Sequence, residues 1–253
     1  MEGFLRALVL LTLFVIGYLF GSIPNGVIIS KAFYGIDPRS GGSKNTGGTN
    51  VGRVVSKKAG IITITLDVIK ILVPFLITFA IFTYWDLAKN FMTGSNYELN
   101  AFGEGNTLSQ LTYYLVALAG MIGHSYSCFL KFKGGKIVAS FCGYALCLTW
   151  SSVPIFLPIF FIVLKFKKYV SLSSLSMCGA FTLFTWIIYI IYIFSGKDVA
   201  SYFMFGPGGP AACIYLPVIT TLAYALMIYR HKSNIINLIN HTEKTAGWNK
   251  KKN

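Results

Sequence analysis

The segment Ile137–Lys168, IVASFCGYALCLTWSSVPIFLPIFFIVLKFKK, decides the fold of this chain. Its apolar part fits either one long helix or two short helices hinged at residues 151–154. Since about 20 apolar residues of helix cross a bilayer, the two interpretations differ by one membrane crossing. The lysine cluster at 165–168 then lies on opposite sides of the membrane in the two cases, so the distribution of charge can distinguish them.

The composition is that of a polytopic membrane protein. The chain has 253 residues, of which 55% are hydrophobic and 12% are charged, whereas a soluble domain has about 25% charged residues. Other apolar runs long enough to span a bilayer lie near 4–29, 59–85, 110–130, 171–195 and 211–230. We therefore predict an all-α integral membrane protein that forms one domain over residues 1–253, with a retained first span and no internal repeat.

The distribution of basic residues favours seven transmembrane helices. With two helices in the deciding segment, the loops on one side are 30–58, 131–136 and 165–170, together with the tail after residue 230. These carry 18 of the 22 lysine and arginine residues, whereas five of the eight acids lie on the other side, including Glu98 and Glu104. By the positive-inside rule the N-terminus is outside and the C-terminus is cytoplasmic. The net charge of +14 is thereby explained without a nucleic-acid partner.

The first cytoplasmic loop, Gly35–Gly60 (GIDPRSGGSKNTGGTNVGRVVSKKAG), has the composition of a phosphate cradle. Between Ser40 and Thr49 it holds four glycines, four hydroxyl residues, one asparagine and one lysine, and Arg39 and Arg53 flank that stretch. Glycines let backbone amides turn towards an anion, and arginine binds phosphate in a bidentate manner. The alternative is a flexible Ser/Gly linker. No Walker A motif occurs.

Two further cytoplasmic segments carry polar residues in an otherwise apolar chain. Gly123–Gly143, GHSYSCFLKFKGGKIVASFCG, joins one histidine and three lysines to a Gly-Gly pair, which suggests an amide nest or a helix N-terminus that receives phosphate. Its alternative is a short loop of positive-inside lysines. The tail Arg230–Lys244, RHKSNIINLINHTEK, predicts a short amphipathic helix on the membrane surface. Its polar residues are His231, Asn234, Asn237 and His241, and its alternative is a solvated basic tail.

One pair of charged residues lies within a predicted span. Asp67 and Lys70 are three positions apart, so they share a helix face and can neutralise each other. Ionisable residues inside a membrane are functional or organising, and we favour a structural ion pair over direct catalysis.

The usual catalytic constellations are missing. No H-x-x-x-x-D, no G-x-S-x-G and no Cys/His/Asp cluster occurs, and the five cysteines lie mostly in apolar stretches without C-x-x-C spacing. We expect buried apolar cysteines, no metal and no disulfide. Chemistry in this chain must then depend on positioning and on electrostatic stabilisation of phosphate oxygens.

Four segments, in order, resemble the bacterial membrane acyl-phosphate:glycerol-3-phosphate acyltransferases, the PlsY family. They are GSIPNG (Gly21–Gly26), GSKNTGGTNVGR (Gly42–Arg53) with the following KKAG and LDVIK, GHSYSCFLKFKGGKIVAS (Gly123–Ser140) and the tail Arg230–Lys244. The resemblance covers most of the predicted cytoplasmic face. It implies seven transmembrane helices in the bacterial plasma membrane, with an active site that faces the cytoplasm and works as a monomer.

The resemblance also implies a reaction. A fatty acyl group passes from acyl phosphate to the 1-hydroxyl of glycerol 3-phosphate and gives lysophosphatidate and phosphate, without coenzyme A, metal or other cofactor. By motif position, the residues that would hold acyl-phosphate oxygens are Ser43, Arg53 and Lys136. Those that would bind glycerol 3-phosphate are Thr49, Asn50, His231 and Asn234. The implied substrate-binding set also includes Arg39, Asn45, His124 and the loop-shaping Gly134 and Gly135.

Several positions depart from the family pattern. The chain has GSKN for GSGN, GGTN for GATN and Tyr126-Ser127 for Phe-Pro. Asn237 stands where arginine is common, and His241 where glycine is common. Lys44 thus adds a cation to the proposed phosphate loop, whereas Asn237 removes one from the tail.

Two other classes of function fit parts of the sequence. A transporter of an anionic metabolite would suit a basic bundle with charges in a span. Transporters usually have paired halves and midplane polar sites, whereas this chain has no internal repeat and its polar residues collect on one face. A metal-dependent phosphatidyl-alcohol transferase would need clustered aspartates, whereas the eight acids of this chain are dispersed.

Overall fold

A computed structural model describes residues 1–93, 108–149, 151–195 and 214–246 of the chain. The described residues contain α-helices, two short 3₁₀ turns and no β-strand, which confirms the all-α prediction. The helices are α1 Glu2–Ser22, α2 Asn25–Tyr34, α3 Gly48–Val54, α4 Lys57–Tyr84, α5 Asp86–Thr93, α6 Leu108–Ser125, α7 Val138–Leu148, α8 Ser152–Lys167, α9 Val170–Ser195, α10 Tyr215–Arg230 and α11 Lys232–Ile239.

The deciding segment folds as two helices, α7 and α8. The backbone leaves the helical conformation at Thr149 and is extended there, with φ −151° and ψ 127°. The Thr149 and Ser151 hydroxyls share a hydrogen bond of 2.5 Å, and the Ser151 amide donates to Thr149 Oγ1 at 3.1 Å. These side chains satisfy polar groups that the helix break exposes. With 11 residues, α7 is roughly 16 Å long, about half the hydrocarbon thickness of a bilayer.

Three segments among the described residues are long and apolar enough to cross a membrane. They are Glu2–Tyr34, Lys57–Tyr84 and Val170–Ser195. The first is interrupted where the sequence predicted one run, because Pro24 stands between α1 and α2. The other predicted spans have shorter helices at their positions, so the seven-span topology stays a prediction.

The core of the bundle is aromatic. Buried rings from α6 and α7 pack edge to face around Phe75 of α4, whose ring centroid lies 5.4 Å from that of Tyr113 and 6.4 Å from that of Tyr144. On α9, Phe181 meets Phe141 at 5.9 Å. Offset and edge-to-face pairs of this kind stabilise a core beyond the area that they bury.

Helix α1 approaches α6 through glycines. A Cβ atom on Gly17 would lie 2.4 Å from the Val116 carbonyl oxygen, and one on Gly21 would lie 1.9 Å from that of Gly120. Small residues at helix contacts let two backbones pack closely in a membrane, where no hydrophobic force drives association. This contact fixes the α1–α2 break beside the end of α6.

The predicted ion pair of α4 is present and fully buried. Lys70 Nζ lies 2.9 Å from Asp67 Oδ1, and both side chains are about one-twentieth exposed. Asn25 Nδ2 donates to the same carboxylate at 3.1 Å, and Lys70 Nζ donates to the Ile23 carbonyl at 2.9 Å. The pair therefore ties α4 to the break between α1 and α2, as its predicted structural role requires.

The prediction of buried cysteines has a mixed outcome. Cys147 and Cys178 are buried in the core, whereas Cys128 and Cys142 are only half-buried, and Cys213 lies outside the described residues. The connection over 86–107, which follows the apolar run at 59–85, begins with helix α5, and the rest of it lies outside the described residues.

Candidate active site

One cavity of about 390 Å³ brings together the three segments that the sequence predicted to be cytoplasmic. Its polar lining comprises Ser43, Asn45, Thr49, Asn50, Arg53, Asp67, His124, Lys136, Ser171, Ser174, His231, Asn234 and Glu243. Its apolar lining comprises Ile64, Val138, Ala139, Cys142, Leu157, Phe160, Phe161, Val170 and Met177. A cavity with a basic polar part and an aliphatic and aromatic part matches an amphiphilic ligand.

Asn50 organises the first loop. Its side chain is buried, and Oδ1 accepts a hydrogen bond of 2.7 Å from the Ser43 amide. Its Nδ2 donates to the carbonyls of Pro38 and Asn45, at 2.7 and 2.8 Å. Both amide hydrogens are thus used within the loop. Asn50 lines the cavity, but in this arrangement it holds Ser43 and Asn45 in place rather than offering its N–H groups to a ligand.

The structure does not bring Arg39 to the cavity, contrary to its predicted place in the substrate-binding set. The Arg39 guanidinium is paired side by side with Asp37, with Nε to Oδ1 at 2.9 Å and Nη2 to Oδ2 at 2.7 Å. Arg39 holds the pKa of Asp37 well below its usual range. The physical reason is local: a carboxylate two residues away satisfies the bidentate geometry that a phosphate would otherwise use.

Arg53 is placed differently. It lies in the last turn of α3 and lines the cavity. Within the described part of the chain, no carboxylate oxygen lies within 4.0 Å of its guanidinium. Arg53 therefore presents an uncompensated bidentate donor to the cavity.

The amide nest predicted at Gly134 and Gly135 is wrong. Their two N–H groups donate to the carbonyls of Ser125 and His124, at 3.0 and 2.8 Å. Those carbonyls belong to the last turn of α6, and carbonyl groups in the last turn of a helix have no hydrogen-bond donor inside that helix. The Gly134 and Gly135 carbonyls accept from Arg230, at 3.1 and 3.2 Å, so both peptide groups are fully used.

The glycine pair nevertheless has a clear structural role. A Cβ atom on Gly134 would lie 2.1 Å from the His124 carbonyl oxygen, and one on Gly135 would lie 2.0 Å from His124 Nε2. Only glycine lets the loop pack this closely on the end of α6. The loop then delivers Lys136 into the cavity at the start of α7, where Val138 and Ala139 also line it. The helix N-terminus that the sequence offered beside the amide nest is present as the start of α7, and its binding of phosphate stays a prediction.

His231 and Asn234 come from the junction of α10 and α11. The predicted helix of the tail is present as α11, and the exposed Ile239 suits a membrane-surface position. His231 is buried, and its Nδ1 lies 2.9 Å from the Met227 carbonyl oxygen. Because a carbonyl only accepts, Nδ1 carries the proton and Nε2 is an acceptor. Burial lowers the pKa of His231 to about 4, so the ring is neutral at physiological pH.

Sequence reasoning missed four polar residues at or beside the site: Ser171, Ser174, Arg230 and Glu243. Ser171 and Glu243 line the cavity and share a hydrogen bond of 2.7 Å. Arg230 holds the glycine loop and stacks over the Tyr126 ring at 5.0 Å. The one available signal was Glu243, which is the sole acid in the basic tail that begins at Arg230.

Comparison with known proteins shows the family of this chain. A family model described as Glycerol-3-phosphate acyltransferase matches residues 11–241. The chain belongs to the glycerol-3-phosphate acyltransferase family. Members named glycerol-3-phosphate acyltransferase include one from Endomicrobium trichonymphae, 35% identical, with 94% of this chain and 96% of the relative covered. Another, from Fusobacterium nucleatum subsp. nucleatum, is 33% identical, with 90% and 94% covered.

Two solved structures also match this member of the family. They are crystal structures of PlsY (YgiH), an integral membrane glycerol 3-phosphate acyltransferase, in a glycerol 3-phosphate form and a lysophosphatidic acid form. Each is 26% identical with a TM-score of 0.67, and 94% of this chain and 96% of the other are covered. The chain is thus an integral membrane acyltransferase of phospholipid biosynthesis, which confirms the family resemblance drawn from the sequence.

Proposed function

We propose that this chain transfers a fatty acyl group from acyl phosphate to the 1-hydroxyl of glycerol 3-phosphate. The products are lysophosphatidate and inorganic phosphate. The observation that carries the proposal is the joining of Arg53, Lys136 and His231 with an apolar wall in one cavity of about 390 Å³. Both substrates carry a phosphate group, and one of them also carries an alkyl chain, so they need these two kinds of surface side by side.

The cationic end supplies the phosphate sites. Arg53 offers a planar fork to phosphate oxygens, and Lys136 adds a point charge at the start of α7. Ser43 and Thr49 add neutral donors from the first loop. Such fixed charges stabilise the negative charge that builds on the leaving phosphate as the acyl bond breaks.

Neutral His231 is suited to the glycerol hydroxyl rather than to a phosphate. Its Nε2 accepts a hydrogen bond, so it can orient the 1-hydroxyl towards the acyl carbon. A base with a pKa of about 4 is too weak to remove the hydroxyl proton alone. A substrate phosphate oxygen, with a second pKa near 6, is the better acceptor of that proton.

The bond changes balance without a cofactor. The hydroxyl oxygen forms a bond to the acyl carbonyl carbon, and the bond between that carbon and the phosphate oxygen breaks. The phosphate leaves with the electron pair, and the hydroxyl proton goes to a phosphate oxygen. Neither coenzyme A nor a metal is required by this sequence of steps.

The apolar wall would hold the acyl chain. Leu157, Phe160 and Phe161 line it from α8, and Met177 lines it from α9. Phe161 is 57% exposed on the surface of the bundle. An acyl chain lying here would reach the surrounding lipid, from which an amphiphilic donor can enter.

The predicted topology suits this reaction. Seven crossings with the N-terminus outside would place the cavity on the cytoplasmic side of the bacterial plasma membrane, where soluble glycerol 3-phosphate is available. One chain supplies both the basic and the apolar part of the cavity lining, in keeping with our proposal that it works as a monomer.

The deciding experiment is a reconstituted assay with purified protein and radiolabelled glycerol 3-phosphate. A long-chain acyl phosphate or the matching acyl-CoA is supplied as donor, in excess chelator. We expect labelled lysophosphatidate from acyl phosphate alone. Product from acyl-CoA alone would contradict the proposed donor, and loss of activity in chelator would contradict a metal-independent mechanism.

A further inference from the structure

Glu243 is an acid in a cavity that should attract anions. It lies after the end of α11, and its Oε1 accepts hydrogen bonds of 2.7 Å from both Ser171 Oγ and Asn234 Nδ2. Its Oε2 is 3.4 Å from Asn237 Nδ2. Asp67, the other acid that lines the cavity, is neutralised by a lysine at 2.9 Å. The partners of Glu243 are instead neutral donors, which calls for a different role.

The hydrogen bonds define a relay from the tail to Lys136. An ionised carboxylate only accepts hydrogen bonds, so Asn234 must turn its NH₂ group towards Glu243. Its carbonyl oxygen then faces the opposite way and accepts a hydrogen bond from Lys136 Nζ. Lys136 is also a donor only, so it bonds the carbonyl end of the Asn234 amide, and the Glu243 carboxylate supplies the acceptor that holds the NH₂ end in place.

We infer that Glu243 is a positioning residue that fixes the Asn234 amide and thereby holds the Lys136 ammonium in the cavity. The inference rests on the proposed function, since it assigns Lys136 a place in the acyl-transfer site. It also accounts for the acid in the basic tail, because the carboxylate acts through its acceptor geometry rather than by contact with the anionic substrates.

The chain around Glu243 is anchored on both sides, so the carboxylate is not held by the relay alone. The Thr242 amide donates to the Asn237 carbonyl at 2.8 Å, and Lys244 Nζ donates to the Gly42 carbonyl at 3.1 Å. Further on, the Ala246 amide donates to the Lys168 carbonyl at 2.7 Å. The segment thus crosses from the first loop to the start of α9 and keeps Glu243 beside Ser171.

Charge supports the same assignment. Burial lowers the pKa of Lys136, and the Glu243 carboxylate opposes that effect and favours the charged ammonium. Without this carboxylate, Lys136 should be held less firmly and its charged form should be less favoured, which slows acyl transfer. The cavity as a whole would also become more positive, which does not weaken the binding of an anion.

The test is the kinetics of Glu243→Gln in the reconstituted assay with acyl phosphate and glycerol 3-phosphate. Glutamine keeps the size and can still accept from Ser171, but it carries no charge and has one acceptor oxygen instead of two, so it holds the Asn234 NH₂ group less firmly. We expect kcat to fall by roughly tenfold or more, with no rise in KM for glycerol 3-phosphate. The matched control, Glu2→Gln, removes an exposed carboxylate on α1 and should leave both constants unchanged.

A double-variant cycle separates positioning from simple destabilisation. Lys136→Arg keeps a cation, so residual turnover can be measured with and without Glu243→Gln. If Glu243 acts through Lys136, the second substitution changes kcat less than about twofold in the arginine background. Glu243→Asp retains the charge but withdraws it by one methylene, and we expect a smaller loss than for glutamine.

The outcomes are distinct. A Glu243→Gln variant with the kcat of the wild type would overturn the inference. Independent effects of the two substitutions in the cycle would overturn it as well. Either result leaves the proposed function intact. Should Glu243→Gln fail to fold, wild-type kcat in Glu243→Asp together with additivity between Glu243→Asp and Lys136→Arg overturns it instead. A wild-type chain that does not turn over acyl phosphate overturns the proposed function and this inference with it.

Discussion

Lys136 and Asn234 are 98 positions apart in the chain, yet the lysine ammonium donates a hydrogen bond to the asparagine side-chain carbonyl. The contact joins the glycine loop before α7 to the helix α11 of the tail. Arg53 reaches the same cavity from the first loop. Three segments that are separate in sequence thus form one basic pocket.

Removing either cation of this pocket should abolish acyl transfer. For Lys136→Ala and Arg53→Ala we expect kcat/KM to fall by at least about a hundredfold, because each residue stabilises charge on a phosphate group. The reconstituted assay measures the rate, and thermal unfolding in detergent reports folding. Lys133→Ala is the matched control, since Lys133 is exposed on the same loop and does not line the cavity. Near-normal turnover in a folded Lys136 or Arg53 variant would contradict the assigned roles.

The sequence predicted the parts of this pocket that depend on residue type. Cations and small residues cluster in three loops, and positive-inside charge puts those loops on one side. The division of the deciding segment into α7 and α8 was predicted from the lysines at its C-terminal end, residues 165–168. These predictions needed no coordinates, since they rest on the cost of placing charge in hydrocarbon.

The functions of individual polar residues could not be predicted in the same way. Arg39 and Arg53 are both arginines of the first loop, but Arg39 forms a salt bridge with Asp37. Gly134 resembles a nest residue, but the unpaired carbonyls at the end of α6 take its amide. Glu243 meets Ser171 from 72 positions away. In each case the outcome depends on which backbone group or carboxylate lies nearby in the folded chain. A local sequence pattern does not contain that information.

The buried ion pair of α4 should govern stability rather than substrate affinity. Asp67→Asn leaves the Lys70 ammonium buried without its counter-charge, and breaking a buried pair in this way costs about 3–5 kcal/mol of unfolding free energy. Thermal unfolding in detergent measures the loss. Asp37→Asn, at a more exposed pair, should cost no more than about 1 kcal/mol. A stable Asp67→Asn protein that had selectively lost glycerol 3-phosphate binding would instead give Asp67 a direct role in binding the substrate.

Gly135 should tolerate no side chain. In Gly135→Ala the new methyl group would lie 2.0 Å from His124 Nε2, so the loop must shift and carry Lys136 with it. We expect a large loss of kcat together with a lower unfolding temperature. Gly3→Ala is the matched control, because nothing lies within 4 Å of a Cβ atom at that position. Equal activity of the two variants would show that the close packing of the loop on α6 is not needed for catalysis.

His231 should remain neutral across the working pH range. Because burial lowers its pKa to about 4, an imidazole that would normally gain a proton as pH falls through 6.5 stays uncharged in the folded chain. His231→Asn keeps an N–H near the Met227 carbonyl but lacks the Nε2 acceptor, so we expect lower kcat/KM. The ratio of wild-type to variant kcat/KM should be constant from pH 8 to 5.5, since titration of the substrate phosphates affects both proteins alike.

Stability gives an independent check on the same group. Between pH 6.5 and 4 the unfolded chain binds a proton at His231 that the folded chain does not, so stability falls as pH falls in that window. Each pH unit costs at most about 1.4 kcal/mol through this residue. His231→Asn should therefore lose less stability than the wild type on acidification from pH 6.5 to 5. A kinetic ratio that instead changed near pH 6.5, with equal loss of stability in both proteins, would mean that His231 is charged at the site and binds phosphate.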